Sequence, residues 1–191
     1  MIYIGIDNGV TGSIALIMEG DSDSLEVKYF PTPVKKALNY TKTQAFLTRV
    51  DSVKLDQIWQ RLLPNDDDAV KENVFCLIER PMINPMRWVA SMSAMRALEA
   101  TLVLLEQWCI PYEYVDSKEW QSVLLPKVTP VNPKLSAKQK KKAKQAQHDA
   151  LKAMSLLKGK QLFPLLNLGG FQDADGLLIA EYCRRKWTGV K

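Results

Sequence analysis

The sequence predicts a single α/β domain around a five-stranded mixed sheet, with the first three strands antiparallel and helices flanking the sheet. Two observations support this prediction. Strand-like segments come first along the 191 residues and then alternate with helical ones, and no repeat or linker divides the chain. The composition, 47% hydrophobic and 25% charged, is that of a globular protein with a proper core.

The first thirty residues predict the three antiparallel strands. Residues 1–7 are almost continuously apolar, which is typical of a strand buried on both faces. Strands at 13–18 and 25–30 follow, each after a turn of small and polar residues, so the three form a meander. The chain is then polar over 31–50, and no strand is predicted there.

The next segment supplies a helix, a strand and a second helix. The first helix lies around 51–63, a solvated turn is expected at 66–68, and the fourth strand spans 74–78. Asn84–Pro85 fits an N-cap followed by a first-turn proline and starts a helix that continues to about Trp108. Its apolar surface is wider than one stripe, which predicts packing against both the sheet and a partner.

One strand and three helices complete the chain. A fifth strand is predicted at 111–115, and a capping-box pattern begins a short helix at 116–125. A helical pattern runs over 136–159, where a glycine is expected to stop it. The last helix is expected over 173–185.

The positive charge of the protein is concentrated in one segment. The chain has 26 basic and 21 acidic residues, a net charge of +5 and a pI near 9.0. Seven lysines and no acid lie within 127–146, and without them 19 basic residues face 21 acidic ones, a net charge of −2. This basic segment is either a solvated helix face or an arm that grips phosphates.

Several classes of site and location are disfavoured. Cys76, Cys109 and Cys183 are far apart and outside any C-x-x-C spacing, which argues against a zinc site or a disulfide framework. His148 is the single histidine, so a His-rich metal cage is excluded and a Ser-His-Asp triad is disfavoured. Neither a long apolar run nor a leader peptide is evident, so we expect a cytoplasmic protein without a membrane span.

Three acidic residues are predicted to converge. Asp7 and Glu79 end the first and fourth strands, and α/β sheets place their sites at the carboxyl ends of strands. Asp175 falls on the buried stripe of the last helix. Converging carboxylates repel, and a hard cation such as Mg²⁺ or Mn²⁺ would neutralise them. The alternatives are a turn former at Asp7, an ion pair between Glu79 and Arg80, and a helix-terminus preference at Asp175.

Five segments of the sequence carry a resemblance to a known family. They are IGIDNGVTGS (4–13), CLIERP (76–81), VDSKEWQ (115–121), QLFP (161–164) and DADGLLIAEY (173–182). In this order they resemble RuvC-type Holliday junction resolvases of the RNase H-like superfamily, particularly the phage and chloroplast branches. The resemblance spans most of the chain, with insertions near 31–70 and 126–147.

This resemblance implies an RNase H-like sheet, a homodimer, and cleavage of four-way DNA junctions by paired nicks with two Mg²⁺ or Mn²⁺ ions per site. Asp7, Glu79 and Asp175 match the metal-binding acids of the family. Its fourth acid lies three or four positions before the last one, where this chain has none, and Asp173 is the available substitute. Residues two apart on a helix point nearly opposite ways, so Asp173 can join only from a cap conformation.

The resemblance also implies contacts with branched DNA. The family often places an aromatic wedge shortly after the strand-four Glu, but this chain has Met82 near that position. Arg87 and Trp88 are the available substitutes for this wedge. With a DNA substrate implied, the basic segment is expected to act as the phosphate-gripping arm. The expected phosphate contacts are Lys118, beside Trp120, and Lys134, Lys138, Lys140, Lys141, Lys142 and Lys144.

Two other functions stay open at this point. One is a catalytically silent module that binds DNA junctions on the same fold. The other is a fragment of an actin-like ATP-dependent kinase, because IGIDNGVTGS also resembles a phosphate-binding hairpin. The length of the chain argues against the kinase, since that fold needs two such domains.

Overall fold

A computed structural model describes residues 1–20, 24–39, 45–128 and 136–189. These residues form seven strands and six α-helices. The strands are β1 (Ile2–Ile6), β2 (Ser13–Glu19), β3 (Leu25–Pro31), β4 (Val34–Leu38), β5 (Phe46–Val50), β6 (Val74–Glu79) and β7 (Tyr112–Val115). The helices are α1 (Ser52–Leu62), α2 (Asp67–Asn73), α3 (Trp88–Gln107), α4 (Ser117–Leu124), α5 (Ala137–Leu162) and α6 (Asp175–Thr188).

The main sheet has five strands in the order β3-β2-β1-β6-β7. β1 pairs antiparallel with β2, β2 pairs antiparallel with β3, and β1–β6 and β6–β7 are parallel pairs. The predicted mixed sheet, with an antiparallel meander first, is therefore confirmed. β1 is central and buried on both faces, as its continuous apolar run indicated.

Each face of the sheet carries its own hydrophobic core. On one face Ile4 and Ile6 of β1 pack with Trp59 of α1 and Leu105 of α3. On the other face Tyr3 belongs to a core formed with α4 and α6. Alternate β1 side chains therefore serve opposite layers, which places helices on both sides of the sheet.

α6 lies unusually close to the centre of the sheet. A Cβ atom on Gly5 would lie 2.1 Å from the backbone nitrogen of Ala180, and one on Gly176 would lie 2.5 Å from the carbonyl oxygen of Ser13. Both glycines leave room for backbone-to-backbone contact between α6 and the strands β1 and β2. This packing holds the first turn of α6 at the carboxyl end of β1.

Three local predictions were wrong. A hairpin, β4–β5, occupies part of the segment predicted to be polar coil, and it pairs with itself rather than with the main sheet. Residues 66–68 begin helix α2, with Asp66 as its N-cap, because the Asp66 carboxylate accepts a hydrogen bond from the backbone of Asp68. α5 continues past Gly159, since the missing side chain there lets the helix pack closely against Ala174.

The long helix also begins later than predicted. Asn84 caps a single 3-10 turn, Pro85–Arg87, by accepting a hydrogen bond from the backbone of Met86 at 3.0 Å, and α3 starts only at Trp88. By length and composition alone, the described segment Pro85–Gln107 could cross a membrane. Part of it lies instead in the core of this domain, where Leu98 and Leu105 are buried.

Candidate metal centre

Two carboxylates meet where the parallel strands β1 and β6 end. Ile6 lies opposite Ile78 in the register of this pair, so Asp7 and Glu79 leave the sheet side by side. The backbone N–H of Asp7 donates to the carbonyl oxygen of Ser13 at 2.9 Å, which fixes the turn between β1 and β2. The sheet therefore brings together the two strand-end acids that sequence reasoning paired.

The start of α6 supplies two further carboxylates. Asp175 is the first residue of the helix, and Asp173 precedes the helix on the other side of the N-cap residue Ala174. Oxygen atoms of Asp7, Asp173 and Asp175 all lie within 4.8 Å of one another. Asp173 thus lies outside the regular helix. Only from such a position can its carboxylate lie beside that of Asp175, because residues two apart within a helix point nearly opposite ways. We call Asp7, Glu79, Asp173 and Asp175 the carboxylate cluster.

Trp120 orients the Glu79 side chain. Its indole ring is fully buried beneath the sheet, and its Nε1–H donates to Oε2 of Glu79 at 3.1 Å. Arg80 does not form the alternative ion pair with Glu79. Its guanidinium Nε lies 3.6 Å from Oδ1 of Asp116 instead. Trp120 is therefore both a core residue and a positioning residue for the cluster.

α5 adds two side chains that sequence reasoning missed. The Lys152 ammonium lies 2.8 Å from Oδ2 of Asp173, and the Ser155 hydroxyl donates to Oδ1 of Asp175. Ser155 is fully buried and also accepts a hydrogen bond from the backbone of Ala174 at 3.1 Å. The available sequence signal was spacing, because Lys152, Ser155 and Gly159 recur at three and four residues along one helical face.

Burial and mutual repulsion raise the pKa values of the cluster. Burial, followed by the charge of Glu79, raises the pKa of Asp7 well above its ordinary value. Burial raises the pKa of Glu79 to about 7 against the opposing effect of the Trp120 hydrogen bond, and Asp175 adds to the rise. Burial and the charge of Asp173 raise the pKa of Asp175 to about 6. The neighbouring protein groups therefore do not fully neutralise the negative charge of the ionised cluster.

The donor set of the cluster fits a hard divalent cation. Its oxygens come from carboxylates, which suit Mg²⁺ or Mn²⁺ and not a metal that prefers sulfur or nitrogen. The raised pKa values give a second reason, since a bound cation would stabilise the ionised forms that burial disfavours. Asp7, Asp173, Asp175 and Glu79 are therefore able to hold such an ion.

The predicted DNA-binding residues lie on several surfaces. Lys138, Lys140, Lys141, Lys142 and Lys144 belong to the first turns of α5. Lys141 precedes Lys152 by eleven residues, which is about three helical turns, so the two share a face of α5. Lys140 points away from that face. Lys134 lies outside the described residues.

The remaining predicted residues lie at the beginnings of helices. Arg87 and Trp88 are at the start of α3, where the indole of Trp88 is 66% exposed. Lys118 is exposed on α4, two residues before Trp120. None of these three has a described contact with the carboxylate cluster.

No protein-family model and no curated protein sequence matches the chain. Two solved structures of Thermus thermophilus RuvC are similar to it. The one in complex with a Holliday junction substrate is 12% identical with a TM-score of 0.56, and the other is 13% identical with a TM-score of 0.53. Both alignments cover 99% of this chain and 97% of the RuvC chain.

A further solved structure is that of the yeast mitochondrial Holliday junction resolvase Ydc2. It is 14% identical, with a TM-score of 0.38, and the alignment covers 95% of this chain and 77% of Ydc2. The two RuvC structures match the predicted fold from the first strand to the last helix. Over nearly its whole length, the chain has the fold of RuvC.

Proposed function

We propose that this protein is a divalent-metal-dependent endonuclease that cuts branched DNA, with four-way Holliday junctions as its substrate. The observation that carries the proposal is the carboxylate cluster at the carboxyl ends of β1 and β6, with oxygens of three of its residues within 4.8 Å of one another. The basic first turns of α5, whose later turns contact the same cluster, add a surface for phosphates. The fold shared with RuvC, one structure of which is in complex with a Holliday junction substrate, supports the same proposal.

Each residue of the cluster has a defined part in this proposal. Asp7, central in the cluster, would hold metal together with Asp175 and Glu79, and Asp173 would complete the set. Two bound ions would activate a water nucleophile and stabilise charge on the attacking and leaving oxygens of the phosphodiester. No histidine or cysteine nucleophile is needed for this chemistry.

The surrounding side chains hold the acids in place. Trp120 donates to Glu79 and Ser155 donates to Asp175, so both carboxylates have fixed orientations before any ligand binds. Lys152, which reaches Asp173, would stabilise negative charge on a phosphate bound beside the cluster. A double nick across one junction would need two such sites, and we therefore propose that the active form is a homodimer.

A nicking assay tests the proposed function. The substrate is a labelled four-way junction with Mg²⁺, and the comparison is between the wild type, Asp7→Asn and the control Asp68→Asn. Asp68 is an exposed acid on α2, at the opposite end of β6 from Glu79, and its substitution changes the net charge equally. We expect symmetric nicks from the wild type and the control and none from Asp7→Asn.

The same assay distinguishes the catalytically silent alternative. Salt-sensitive binding of the junction by the wild type, without nicks at any Mg²⁺ or Mn²⁺ concentration, would contradict the nuclease and support a binding module. The position of Asp173 beside Asp7 and Asp175 favours the nuclease, because it supplies an acid that the sequence pattern lacked.

A further inference from the structure

A cleft of about 340 Å³ lies between the β4–β5 hairpin and the first half of α3. Its hairpin wall includes Lys35 and Arg49, and its helix wall includes Ser93 and Arg96. Val10, from the loop that follows Asp7, also lines it. The cleft therefore adjoins the loop after Asp7 but includes no residue of the carboxylate cluster.

Two cations of this cleft lower the stability of the β4–β5 hairpin. Lys35 lies directly opposite Arg49 in the register of β4 and β5, and like charges in that position destabilise a strand pair. Asp51 offsets part of the charge, since its carboxylate lies 3.7 Å from the Lys35 ammonium. Arg96 adds a third cation from α3, and the described lining of the cleft contains no acid.

The lining also indicates the chemical class of the ligand. Hydroxyl groups of Ser52 and Ser93 accompany the three cations, and these are donors for phosphate oxygens. No aromatic ring is among the described lining residues, so nothing there would stack on a nucleotide base. Contacts of this kind suit a phosphodiester backbone held without regard to sequence.

The cleft and the carboxylate cluster share one loop. Val10 follows Asp7 by three residues, and the side-chain amide of Asn8 donates to the carbonyl oxygen of Ala94 in α3 at 3.3 Å. The loop that leaves the cluster is thus attached to the helix that forms the wall of the cleft. The cleft would therefore lie beside a nucleic acid bound at the carboxylate cluster.

We propose that this basic cleft binds backbone phosphates of a duplex arm of the DNA substrate, next to the carboxylate cluster. The inference rests on the proposed function for the identity of the DNA. Its contribution is electrostatic, because each neutralised phosphate releases counterions and steepens the dependence of binding on salt. Lys35, Arg49 and Arg96 would orient an arm and leave recognition of the junction to other surfaces.

The test measures binding of a labelled four-way junction and of a linear duplex, without Mg²⁺, over a range of salt concentrations. The cleft variant is Arg49→Gln with Arg96→Gln. The control is Arg61→Gln with Lys71→Gln, which removes two exposed cations from α1 and α2. We expect the slope of log affinity against log salt to fall by about one for each lost phosphate contact in the cleft variant and to stay unchanged in the control.

A charge-preserving variant separates binding from folding. Arg49→Lys with Arg96→Lys should restore most of the salt slope, and thermal denaturation of each variant verifies its fold. Equal affinity and equal slope in the cleft and control variants would overturn the inference. Nicking by the wild type is scored separately, so a wild type that binds duplex through the cleft but never nicks would contradict the proposed function alone.

Discussion

At the scale of single residues, we expect Asp7 to lower the stability of the metal-free fold. Its carboxylate is buried beside Glu79 and Asp175, and both charges raise its pKa. A buried charge with like-charged neighbours is costly unless it is paired. A cation bound at the cluster would offset this cost, because it would pair with the ionised Asp7 carboxylate.

Substituting Asp7 should therefore have opposite effects on the stability of the metal-free protein and on its stabilisation by Mg²⁺. We expect Asp7→Asn to raise the melting temperature of the metal-free protein at pH 8, because the amide keeps the shape and removes the charge. The same variant should lose most of the stabilisation that Mg²⁺ gives the wild type. Thermal denaturation with and without Mg²⁺ measures both effects, with Asp68→Asn as the control. A lower melting temperature without metal would contradict this account of Asp7.

The dependence of stability on pH follows from the same cluster. The pKa of Glu79 rises from 4.5 to about 7 and that of Asp175 rises from 3.8 to about 6. The folded state therefore binds more protons than the unfolded state between about pH 4 and pH 7, and stability is lost as the pH rises through this window. We expect these two groups to lower the metal-free free energy of unfolding by on the order of 6 kcal/mol across it.

Urea denaturation at a series of pH values measures this fall. Excess Mg²⁺ should reduce it, since the ion favours the ionised carboxylates. A free energy of unfolding that rises from pH 5 to pH 7 without metal would show that the cluster is not repulsive.

Sequence patterns located some of these residues and missed others for physical reasons. Asp7 and Glu79 end buried parallel strands, so their proximity follows from the sheet alone. Lys152 and Ser155 reach the cluster only because α5 packs on α6 with one particular rotation, and no local pattern specifies that rotation. The place of Asp173 depends on where α6 begins, and helix ends are the least predictable part of a helix.

At the scale of elements, the contact between α6 and β1 holds the cluster together. It depends on Gly5, where a methyl group would meet the backbone of α6 at 2.1 Å. Two backbones cannot shift apart without moving Asp175 away from Asp7, because Asp175 begins the same helix. The glycine thus links the packing of the sheet to the geometry of the site.

Gly5→Ala should accordingly destabilise the protein strongly. We expect a loss of about 3 kcal/mol or more, or no folded protein at all, since the clash is with backbone atoms. The control is Gly20→Ala, where the nearest atom is the movable hydroxyl of Ser24 at 2.8 Å. Urea denaturation compares the two variants. A Gly5→Ala protein as stable as the control would contradict the close packing of α6 on β1.

The basic first turns of α5 are a second element with a testable face. Lys141 shares the face of Lys152, which contacts Asp173, whereas Lys140 points elsewhere. We expect Lys141→Gln to weaken junction binding and to lower its salt slope by about one, and Lys140→Gln to have a smaller effect. Binding titrations over a range of salt concentrations measure both. Equal effects of the two substitutions would indicate diffuse attraction by the whole segment.

The β4–β5 hairpin could not be predicted because its sequence lacks the alternation of a half-buried strand. β4 exposes Val34, Lys35, Lys36 and Leu38, and β5 exposes Phe46 and Arg49. Only Val50 among its ten residues is fully buried. A hairpin that packs so little against the core is specified by its own cross-strand pairs and by α3, and these pairings are not visible in local periodicity.

At the scale of the whole molecule, the charge is divided between two parts of the chain. The body of the chain has a net charge of −2 and contains a buried carboxylate cluster that would repel phosphate without metal, while the basic segment carries seven lysines. In the proposed function, different parts of the chain would supply the attraction for DNA and the chemistry. This separation would make a modest total charge of +5 compatible with binding to DNA.

The second whole-molecule feature is an exposed apolar face on α3. Trp88, Met95 and Val103 recur at seven and eight residues along this helix, and their exposed fractions are 66%, 39% and 52%. The buried positions of α3, such as Leu98 and Leu105, lie on a different side. Such a stripe on a helix already packed in the core favours contact with a second protein surface, and the proposed homodimer supplies one.

Introducing charge on this face should separate the two copies. We expect Met95→Glu with Val103→Glu to be monomeric at concentrations where the wild type is a dimer, because four carboxylates would meet across a two-fold contact. Analytical ultracentrifugation measures the mass of each. The control, Val53→Glu with Leu165→Glu, places the same charges at exposed positions outside α3. A monomeric wild type, or a variant that stays dimeric, would contradict this interface.

The monomeric variant should also change how a junction is cut. Each copy keeps its own carboxylate cluster, so we expect single nicks to persist while the two opposed nicks cease to occur within one binding event. A supercoiled plasmid with an extruded cruciform distinguishes these outcomes, because paired nicks linearise it and a single nick only relaxes it. Linear product from a monomeric variant would mean that pairing of the nicks does not depend on the α3 face.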